Sequence, residues 1–200
     1  MKTGILGGTF NPPHMGHINA ARAAKESLGL DKIVFIPAGI PPHKKIPENT
    51  ATDKQRFEMT LLAAKEVGAE VSDAEMRRSG RSFTVDTVKW IAEKHPDDEL
   101  WLIMGTDMFL SFDAWKEPEE IARLAKIAVV PRKQGDAAAL EKKGIFLREK
   151  LGVEYAVIDT PTIEISSTDI RDYEKFGEYL PKTVSEYIDR HGLYKKTRER

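Results

Sequence analysis

The sequence predicts an α/β protein with a doubly wound parallel sheet in a single domain. Short runs of β-branched and aromatic residues alternate with segments of helical spacing along the whole chain, which is typical of a parallel sheet covered by helices. The chain has 200 residues, of which 40% are hydrophobic and 32% are charged, and this suits one compact domain with a real core. Glycine- and proline-rich turns follow several predicted strands, at the ends where such sheets bind ligands.

The first predicted elements form a strand, a helix and a second strand. Thr3 to Leu6 is short and apolar, as a buried strand would be, and Ile18 to Leu28 has helical spacing. Lys32 to Pro37 is a β-branched and aromatic run stopped by proline, which predicts a second strand parallel to the first. Ala38 to Thr50 is too rich in proline for a helix and is interpreted as a loop.

The next helix is predicted from a capping box. Thr52 and Gln55 have the spacing of that motif, which places a helix from Asp53 to about Val67. Its apolar face is predicted to consist of Phe57, Leu61, Leu62 and Ala64.

The remaining elements continue the alternation. Further strands are predicted at Glu70–Ser72, Leu100–Met104, Ile127–Val130 and Tyr155–Ile158. Further helices are predicted at Thr84–Lys94, Asp136–Leu151 and Pro181–Arg190, with a short helix opening after Ile165. We therefore expect one domain over residues 1–194 and a charged tail over residues 195–200.

Charge and composition exclude several classes of protein. The net charge is −1, from 31 Lys and Arg against 32 Asp and Glu, so no global basic field predicts binding to nucleic acid. The absence of cysteine excludes disulfides, thiolate nucleophiles and Cys-ligated zinc. Because there is no signal-peptide pattern and no run long enough to cross a bilayer, we expect a cytoplasmic protein without a membrane partner. The oligomeric state stays open, and a homo-oligomer is possible.

The turn between the first strand and the first helix carries the strongest functional signal. From Gly7 to His17 it reads Gly-Gly-Thr-Phe-Asn-Pro-Pro-His-Met-Gly-His. Gly7 and Gly8 let a ligand approach the main chain, and the N–H groups at the start of the helix favour an anion. His14 and His17 can donate hydrogen bonds to a phosphate there. The turn is neither a Walker loop nor a dinucleotide fingerprint. By themselves, two histidines at this spacing would also fit a weak metal pair.

A second motif follows the last predicted strand. Residues 165–171 read Ile-Ser-Ser-Thr-Asp-Ile-Arg. Ser166 and Asp169 have capping-box spacing, so a purely structural role is one interpretation. Hydroxyls at a helix start with an arginine one turn later also form a phosphate cradle, which is the functional alternative.

Together, the two motifs resemble the paired signatures of the nucleotidyltransferase superfamily that carries His-x-Gly-His. With the Pro-Pro-His-Lys loop and Gly105-Thr106-Asp107, the chain is similar over nearly its whole length to the nicotinate-mononucleotide adenylyltransferases. Asn11 stands where many relatives have Asp. The resemblance implies a Rossmann-like fold and transfer of the adenylyl group of ATP to nicotinate mononucleotide. The products would be pyrophosphate and deamido-NAD (nicotinate adenine dinucleotide), in NAD biosynthesis.

The resemblance also implies roles for residues of both motifs. His14, His17 and Arg171 would be catalytic and would contact the ATP phosphates, and His17 is the preferred donor to the transition state. Ser167, Thr168 and Arg171 would hold the β- and γ-phosphates. The ATP-binding set would be Gly7, Gly8, Thr9, Phe10, His14, His17, Gly105, Asp107, Ser167, Thr168 and Arg171. Mg²⁺ would arrive bound to ATP, so no protein metal site is expected.

The acceptor nucleotide needs a cation, a flat surface and N–H donors. Lys44 would supply the cation for its phosphate, and Trp115 would stack on the pyridine ring. The main chain at Phe83 and Thr84 would donate to the nicotinate carboxylate, and Asp107 would accept from a ribose hydroxyl. Without the resemblance, a lone lysine is usually a surface charge and a lone tryptophan usually belongs to the core or its rim.

Three other functions compete with this interpretation. A sister adenylyltransferase would use another phosphate acceptor, such as nicotinamide mononucleotide or phosphopantetheine. A nucleotide-binding module without turnover would not need the two intact motifs. We do not expect a tRNA-charging enzyme, because the 200 residues leave no region for an anticodon-binding domain and a Lys-Met-Ser-Lys-Ser type of string is missing. The sequence leaves open the role of Arg77, Arg78 and Arg81, and how strictly nicotinate is preferred.

Overall fold

A computed structural model describes residues 1–41, 50–131, 135–173 and 178–194 of the chain. Its strands form one sheet of six: β1 (Lys2–Gly8), β2 (Lys32–Pro37), β3 (Glu70–Val71), β4 (Glu99–Gly105), β5 (Lys126–Val130) and β6 (Tyr155–Val157). All neighbouring strands pair in parallel, in the order β3-β2-β1-β4-β5-β6. This is the strand order of a doubly wound Rossmann-like fold, so the predicted fold class is confirmed.

The helices of the described ranges cover both faces of the sheet. They are α1 (Met15–Leu28), α2 (Asp53–Lys65), α3 (Ala74–Arg77), α4 (Thr84–Lys94), α5 (Thr106–Leu110), α6 (Pro118–Leu124), α7 (Ala137–Leu151), α8 (Ser167–Tyr173) and α9 (Lys182–His191). A 3₁₀ turn over Phe112–Ala114 joins α5 to α6. Within the part of the chain that the structure describes, no helix has the length and apolar character needed to cross a membrane.

Strand β4 shows how the two cores are divided. Leu100, Leu102 and Met104 pack on one face of the sheet, in a cluster with residues of α4, α5, α6 and α7. Trp101 and Ile103 point to the other face, against α1 and α2. This alternation follows from the two-residue period of a strand. Because helices cover both faces of the sheet in the described part of the chain, the strand ends are where a ligand can reach it.

A third cluster ties the end of the chain to its beginning. Helix α9 packs beside α1 and α2, and Val184 and Ile188 are buried there with Ile18 and Met59. Tyr194, just beyond α9, belongs to the same cluster. The C-terminal segment is therefore an integral part of the fold up to that residue.

Most predicted boundaries agree with the structure within two residues, but the predicted face of α2 was wrong. Its buried residues are Arg56, Met59, Thr60, Ala63 and Ala64. Of the predicted face only Ala64 is buried, and Leu61 is exposed. The helix is rotated because Arg56, a charged residue, finds main-chain partners inside the protein. Helices α3 and α6 were not predicted, whereas the start of α5 agrees with the strand-to-helix junction expected at Gly105-Thr106-Asp107. The tail 195–200 lies outside the described residues.

Candidate active site

A cleft of about 750 Å³ opens at the carboxyl ends of the central strands. Its floor is made by Gly7 and Gly8 at the end of β1, Gly105 at the end of β4, and Val130 and Pro131 after β5. In the sheet, β2 and β3 lie on one side of β1, and β4, β5 and β6 lie on its other side. The cleft thus lies at the point where the sheet reverses its direction of winding, where folds of this type bind their ligands.

The turn from β1 to α1 is shaped by Phe10. This residue has a φ of 47° and its side chain is 1% exposed. Its ring packs on Phe35 with centroids 5.6 Å apart and meets the edge of the His17 ring at 4.9 Å. A Cβ on Gly8 would come within 3.1 Å of the Phe10 ring, so Gly8 is required for this packing. Phe10 is thus a buried residue of the turn that also lines the cleft.

His14 and His17 form a reciprocal capping box at the start of α1. The Gly16 N–H donates to Nδ1 of His14, and the His14 N–H donates to Nδ1 of His17, each at 3.2 Å. Because a main-chain N–H can only donate, both Nδ1 atoms must be unprotonated acceptors. Each neutral ring therefore carries its proton on Nε2. The centroids of the two imidazole rings lie 3.8 Å apart, and both residues line the cleft.

The second motif is attached to the first by side chains. The Ser167 hydroxyl donates to the Pro12 carbonyl oxygen at 2.8 Å, and the Arg171 guanidinium donates to the Asn11 carbonyl oxygen. Ser167 and Arg171 both line the cleft. Arginine has five N–H donors in a rigid fork, so contacts within the protein leave further donors for a ligand. The two motifs therefore form one surface, although they lie at opposite ends of the sequence.

The interpretation of Ser166 and Asp169 as a cap agrees with the structure. Asp169 Oδ2 accepts from the Ser166 N–H at 2.9 Å, and Ser166 Oγ accepts from the Asp169 N–H at 3.1 Å. Thr168 Oγ1 accepts from Arg171 at 3.1 Å. Neighbouring residues thus have different contacts, because Ser166 caps the start of α8 while Ser167 and Arg171 join the two motifs.

A buried arginine braces the floor of the cleft. The Arg56 side chain is 0% exposed, and it donates to the carbonyl oxygens of Thr9 at 2.7 Å and Gly39 at 3.4 Å. Asp53, one turn earlier in α2, accepts from it at 2.7 Å and balances its charge. Arg56 Nε has no hydrogen-bond partner. This side chain holds the segments that leave β1 and β2 in a fixed relation.

The other end of the cleft is lined by aromatic and main-chain groups. Phe83 and Thr84 stand at the start of α4, where the first N–H groups of a helix have no partner within it. Trp115 also lines the cleft, is half-buried, and packs on Phe112 with ring centroids 5.4 Å apart. The Lys116 ammonium lies 4.6 Å from the centre of the Phe83 ring. A flat surface, a cation and N–H donors therefore meet here.

Behind Phe83 lies a buried acid. Glu75 is 7% exposed, and its Oε1 accepts from the Thr87 hydroxyl at 2.5 Å. Arg78 donates to the Thr87 oxygen and lies 3.7 Å from the carboxylate. Burial raises the pKa of Glu75 above its ordinary value of 4.5, and the Thr87 hydrogen bond and the Arg78 charge oppose this shift only in part.

Ser82 connects this acid to the end of β2. Its hydroxyl oxygen accepts from the Gly39 N–H at 3.0 Å, and its own N–H donates to the Ile40 carbonyl oxygen at 2.8 Å. A Cβ on Gly39 would lie only 2.5 Å from the Glu75 carbonyl oxygen, which explains the glycine there. These two hydrogen bonds attach the segment that precedes α4 to the residues that follow β2.

The cleft gathers most of the residues that the sequence analysis selected. They are Gly7, Gly8, Thr9, Phe10, His14, His17, Phe83, Thr84, Gly105, Trp115, Ser167 and Arg171. Asp107 and Thr168 are not among the lining residues, since Asp107 is exposed on α5 and Thr168 faces Arg171. Lys44 and its Pro-Pro-His-Lys loop lie outside the described residues.

The three arginines left open by the sequence have different surroundings. Arg77 pairs with Asp73 at 2.7 Å on the surface. Arg78 supports the Glu75 network, and Arg81 bridges to Ile40 through its main chain. None of the three arginines is among the residues that line the cleft in the described part of the chain.

Sequence reasoning missed two buried polar residues at the site, Arg56 and Glu75. Arg56 sits where a helical period predicts the exposed side of α2, and its carbonyl partners have no signature in the sequence. Glu75 precedes the Arg78–Ser82 loop by a few residues, and its distance from the apolar strands gave no signal of burial. Asn19, which lines the cleft and donates to the Pro161 carbonyl oxygen at 3.1 Å, was also missed.

A family model described as cytidylyltransferase-like matches residues 5–173, which include both motifs, strands β2 to β6 and the second half of β1. The class of protein that the fold and the cleft define is therefore a nucleotidyltransferase of this type. Curated relatives narrow the class, because they match the chain from end to end. The chain belongs to the family of nicotinate-nucleotide adenylyltransferases.

Two relatives illustrate the match. The probable nicotinate-nucleotide adenylyltransferase of Dictyoglomus thermophilum is 42% identical over 199 residues, which cover 97% of this chain and 100% of the relative. The protein of the same name from Desulfitobacterium hafniense is 38% identical over 206 residues, which cover 97% of this chain and 96% of the relative.

A solved structure shares the fold at low sequence identity. The nicotinic acid mononucleotide adenylyltransferase of Plasmodium falciparum, in complex with NaAD, superposes with a TM-score of 0.77. The two chains are 19% identical, and the superposition covers 97% of this chain and 98% of that one. This likeness supports the fold assignment.

Proposed function

We infer that this enzyme transfers the adenylyl group of ATP to nicotinate mononucleotide, with release of pyrophosphate and formation of deamido-NAD in NAD biosynthesis. The observation that carries this inference is the joining of the two motifs at one cleft, through Ser167 to Pro12 and Arg171 to Asn11. The family of the chain and the NaAD bound to the Plasmodium structure support the same reaction.

The reaction needs no covalent enzyme intermediate. A phosphate oxygen of the mononucleotide forms a bond to the α-phosphorus of ATP, and the bond from that phosphorus to the bridging oxygen of pyrophosphate breaks. The nucleophile is already an anion, so the protein must align it and offset the charge that develops on the α-phosphate and the leaving group.

The geometry of the two histidines suits this task. Their capping box fixes the Nδ1 atoms as acceptors, so each Nε2 presents an N–H donor of defined orientation. Such preorganised donors stabilise developing charge without rearrangement during the reaction. We propose that His14 and His17 contact the ATP phosphates together with Arg171 and Ser167, and that Mg²⁺ enters as part of the MgATP substrate.

The acceptor would occupy the opposite end of the cleft. The pyridine ring would stack on Trp115, and its carboxylate would accept from the main chain at Phe83 and Thr84. Lys116 adds a positive charge close to that position. Lys44 remains the predicted cation for the acceptor phosphate, Asp107 a predicted ribose ligand and Thr168 a predicted phosphate ligand. A cytoplasmic location and a possible homo-oligomer also stay predictions.

Pyrophosphate release tests the proposal. The purified protein is supplied with ATP and magnesium and with one acceptor at a time: nicotinate mononucleotide, nicotinamide mononucleotide or phosphopantetheine. We expect the largest kcat/KM with nicotinate mononucleotide and formation of deamido-NAD on chromatography. Preference for another acceptor would replace the proposed substrate, and no release with any acceptor would refute the enzymatic function.

A further inference from the structure

Tyr194 lies outside the cleft but is bonded to its first motif. Its hydroxyl donates to Oδ1 of Asn11 at 2.6 Å, in a buried environment. The tyrosine follows Gly192, the left-handed residue that ends α9, and its own φ of 60° turns the side chain back into the protein. The side chain is 8% exposed and packs in the cluster between α9, α1 and α2.

Asn11 is also bonded to Thr50 and to Arg171. Its side-chain NH₂ donates to the Thr50 hydroxyl oxygen at 3.1 Å, and its main-chain carbonyl oxygen accepts from Arg171. Asn11 is 1% exposed, so these partners fix its side chain and main chain together. Asn11 and Arg171 both line the cleft, whereas Tyr194 does not.

The Tyr194 hydroxyl must be the donor in this bond, because its oxygen lies 2.6 Å from the side-chain carbonyl oxygen of Asn11, which carries no proton. Burial raises the pKa of the phenol, and the positive charges of Arg171 and Arg56 oppose that shift only in part. Because Tyr194 and Asn11 are both buried, their hydrogen bond restrains the position of the Asn11 side chain.

We propose that Tyr194 is a positioning residue for the ATP phosphate site, acting through Asn11 on Arg171. This inference rests on the proposed function, because it assigns Arg171 to the phosphates. Without the phenol, Oδ1 of Asn11 loses its buried donor, and the carbonyl oxygen that holds Arg171 is less restrained. A positioning error of 1 Å in an active site costs ~10²-fold in rate, so we expect a smaller shift to lower kcat/KM for ATP about tenfold.

Tyr194→Phe tests the proposal against a matched control, Tyr187→Phe. Tyr187 lies in the last turns of α9, packs against the same cluster, and donates its hydroxyl hydrogen to Glu58, away from the cleft. Each variant loses one hydroxyl that is bonded to a side chain of the same protein. We expect a greater loss of melting temperature in Tyr194→Phe, because its lost bond is buried, and a lower kcat/KM for ATP in Tyr194→Phe alone. The KM for nicotinate mononucleotide should stay unchanged in both.

If Tyr194→Phe folds poorly, Asn11→Ala alone tests the same hydrogen bond and should also lower kcat/KM for ATP. If both fold, the two substitutions form a double-mutant cycle. Asn11→Ala removes the other end of the same hydrogen bond, so Tyr194→Phe should lower kcat/KM for ATP no further in the Asn11→Ala background. Additive losses, or equal kinetics of Tyr194→Phe and Tyr187→Phe, would overturn the positioning role. These outcomes presuppose active wild-type enzyme, so an inactive wild type would instead refute the proposed function.

Discussion

The imidazole of His14 lies directly against Gly16. A Cβ on Gly16 would be 3.0 Å from both Cε1 and Nδ1 of the His14 ring and 3.4 Å from Cγ2 of Ile165. The glycine of the His-x-Gly-His motif is thus a packing requirement of its first histidine. The ring could not cap α1 at its present position above any other residue.

Gly16→Ala should therefore separate stability from activity. Alanine stabilises a helix relative to glycine by roughly 0.5–1 kcal/mol, so the free energy of unfolding should not fall. The His14 ring must move by a few tenths of an ångström, and we expect turnover to fall by about three- to tenfold, a fraction of the loss that a full ångström brings. Urea unfolding and steady-state kinetics measure the two effects. Unchanged turnover would show that the ring position is not critical.

The two nitrogens of His17 can be tested separately. In His17→Asn the amide oxygen can take the place of Nδ1 and keep the capping box, while the donor at Nε2 is lost. In His17→Gln the amide nitrogen can reach the Nε2 position. We expect His17→Asn to fold normally and to lose ~10²–10³-fold in kcat, as for other lost transition-state donors.

The glutamine variant should retain more turnover than the asparagine variant. Circular dichroism establishes that both proteins fold, and single-turnover measurements with ATP and nicotinate mononucleotide isolate the chemical step. Near wild-type kcat in His17→Asn would contradict the assignment of the donor to Nε2 of His17.

Trp115→Ala should affect the acceptor and spare ATP. Stacking of a base on an aromatic side chain is worth roughly 1–3 kcal/mol, so we expect the KM for nicotinate mononucleotide to rise about tenfold or more. The matched control is Trp90→Ala, because Trp90 is also half-buried and packs on the same core cluster but does not line the cleft. Initial rates at varied acceptor concentration measure the effect. An equal rise in the KM for ATP would contradict stacking on the pyridine ring.

Glu75→Gln should reveal a pH-dependent cost of the buried carboxylate. Burial raises the pKa of Glu75 above its unfolded value of 4.5, so the folded state binds the proton more tightly than the unfolded state. The stability that this proton provides is present below pH 4.5 and is lost as the pH rises through the folded pKa. The neutral glutamine does not incur that loss.

The wild type should therefore lose stability relative to Glu75→Gln as the pH rises from about 4.5, and the difference should level off above the folded pKa. Urea unfolding of both proteins from pH 4.5 to 8 measures the difference, and titrations common to both cancel. A difference that is independent of pH would show that the carboxyl does not titrate differently on folding.

The sequence predicted an element correctly wherever a single local pattern determines that element. Lys32–Pro37 and Thr84–Lys94 were predicted with the bounds that the structure shows, because a proline or a helical period marks each of them. Helix α6 was missed since seven residues are too few for a clear period. Its start depends on the left-handed Glu117, whose conformation no neighbouring residue signals.

The residues of the site also differ in how well the sequence predicts them. The histidines, glycines and hydroxyl residues of the two motifs can be recognised by their type and spacing. The contacts that hold these residues in place have no such signature, because Arg56 and Arg171 donate to main-chain carbonyl groups, although Arg171 itself was predicted as part of the second motif. Every residue has such a group, so these contacts leave no pattern in the sequence. Tyr194 reaches a side chain, but across 183 positions.

The attachment of Asn11 and Pro12 to residues near the other end of the chain has a consequence for biosynthesis. Translation produces the first motif early, yet Ser167, Arg171 and Tyr194 reach it only after the rest of the domain has been made. A nascent chain can form β1 and α1 without being able to assemble the complete phosphate surface. The enzyme should gain activity in one late step of its synthesis, so truncated translation products would be inactive even where their sheet has formed.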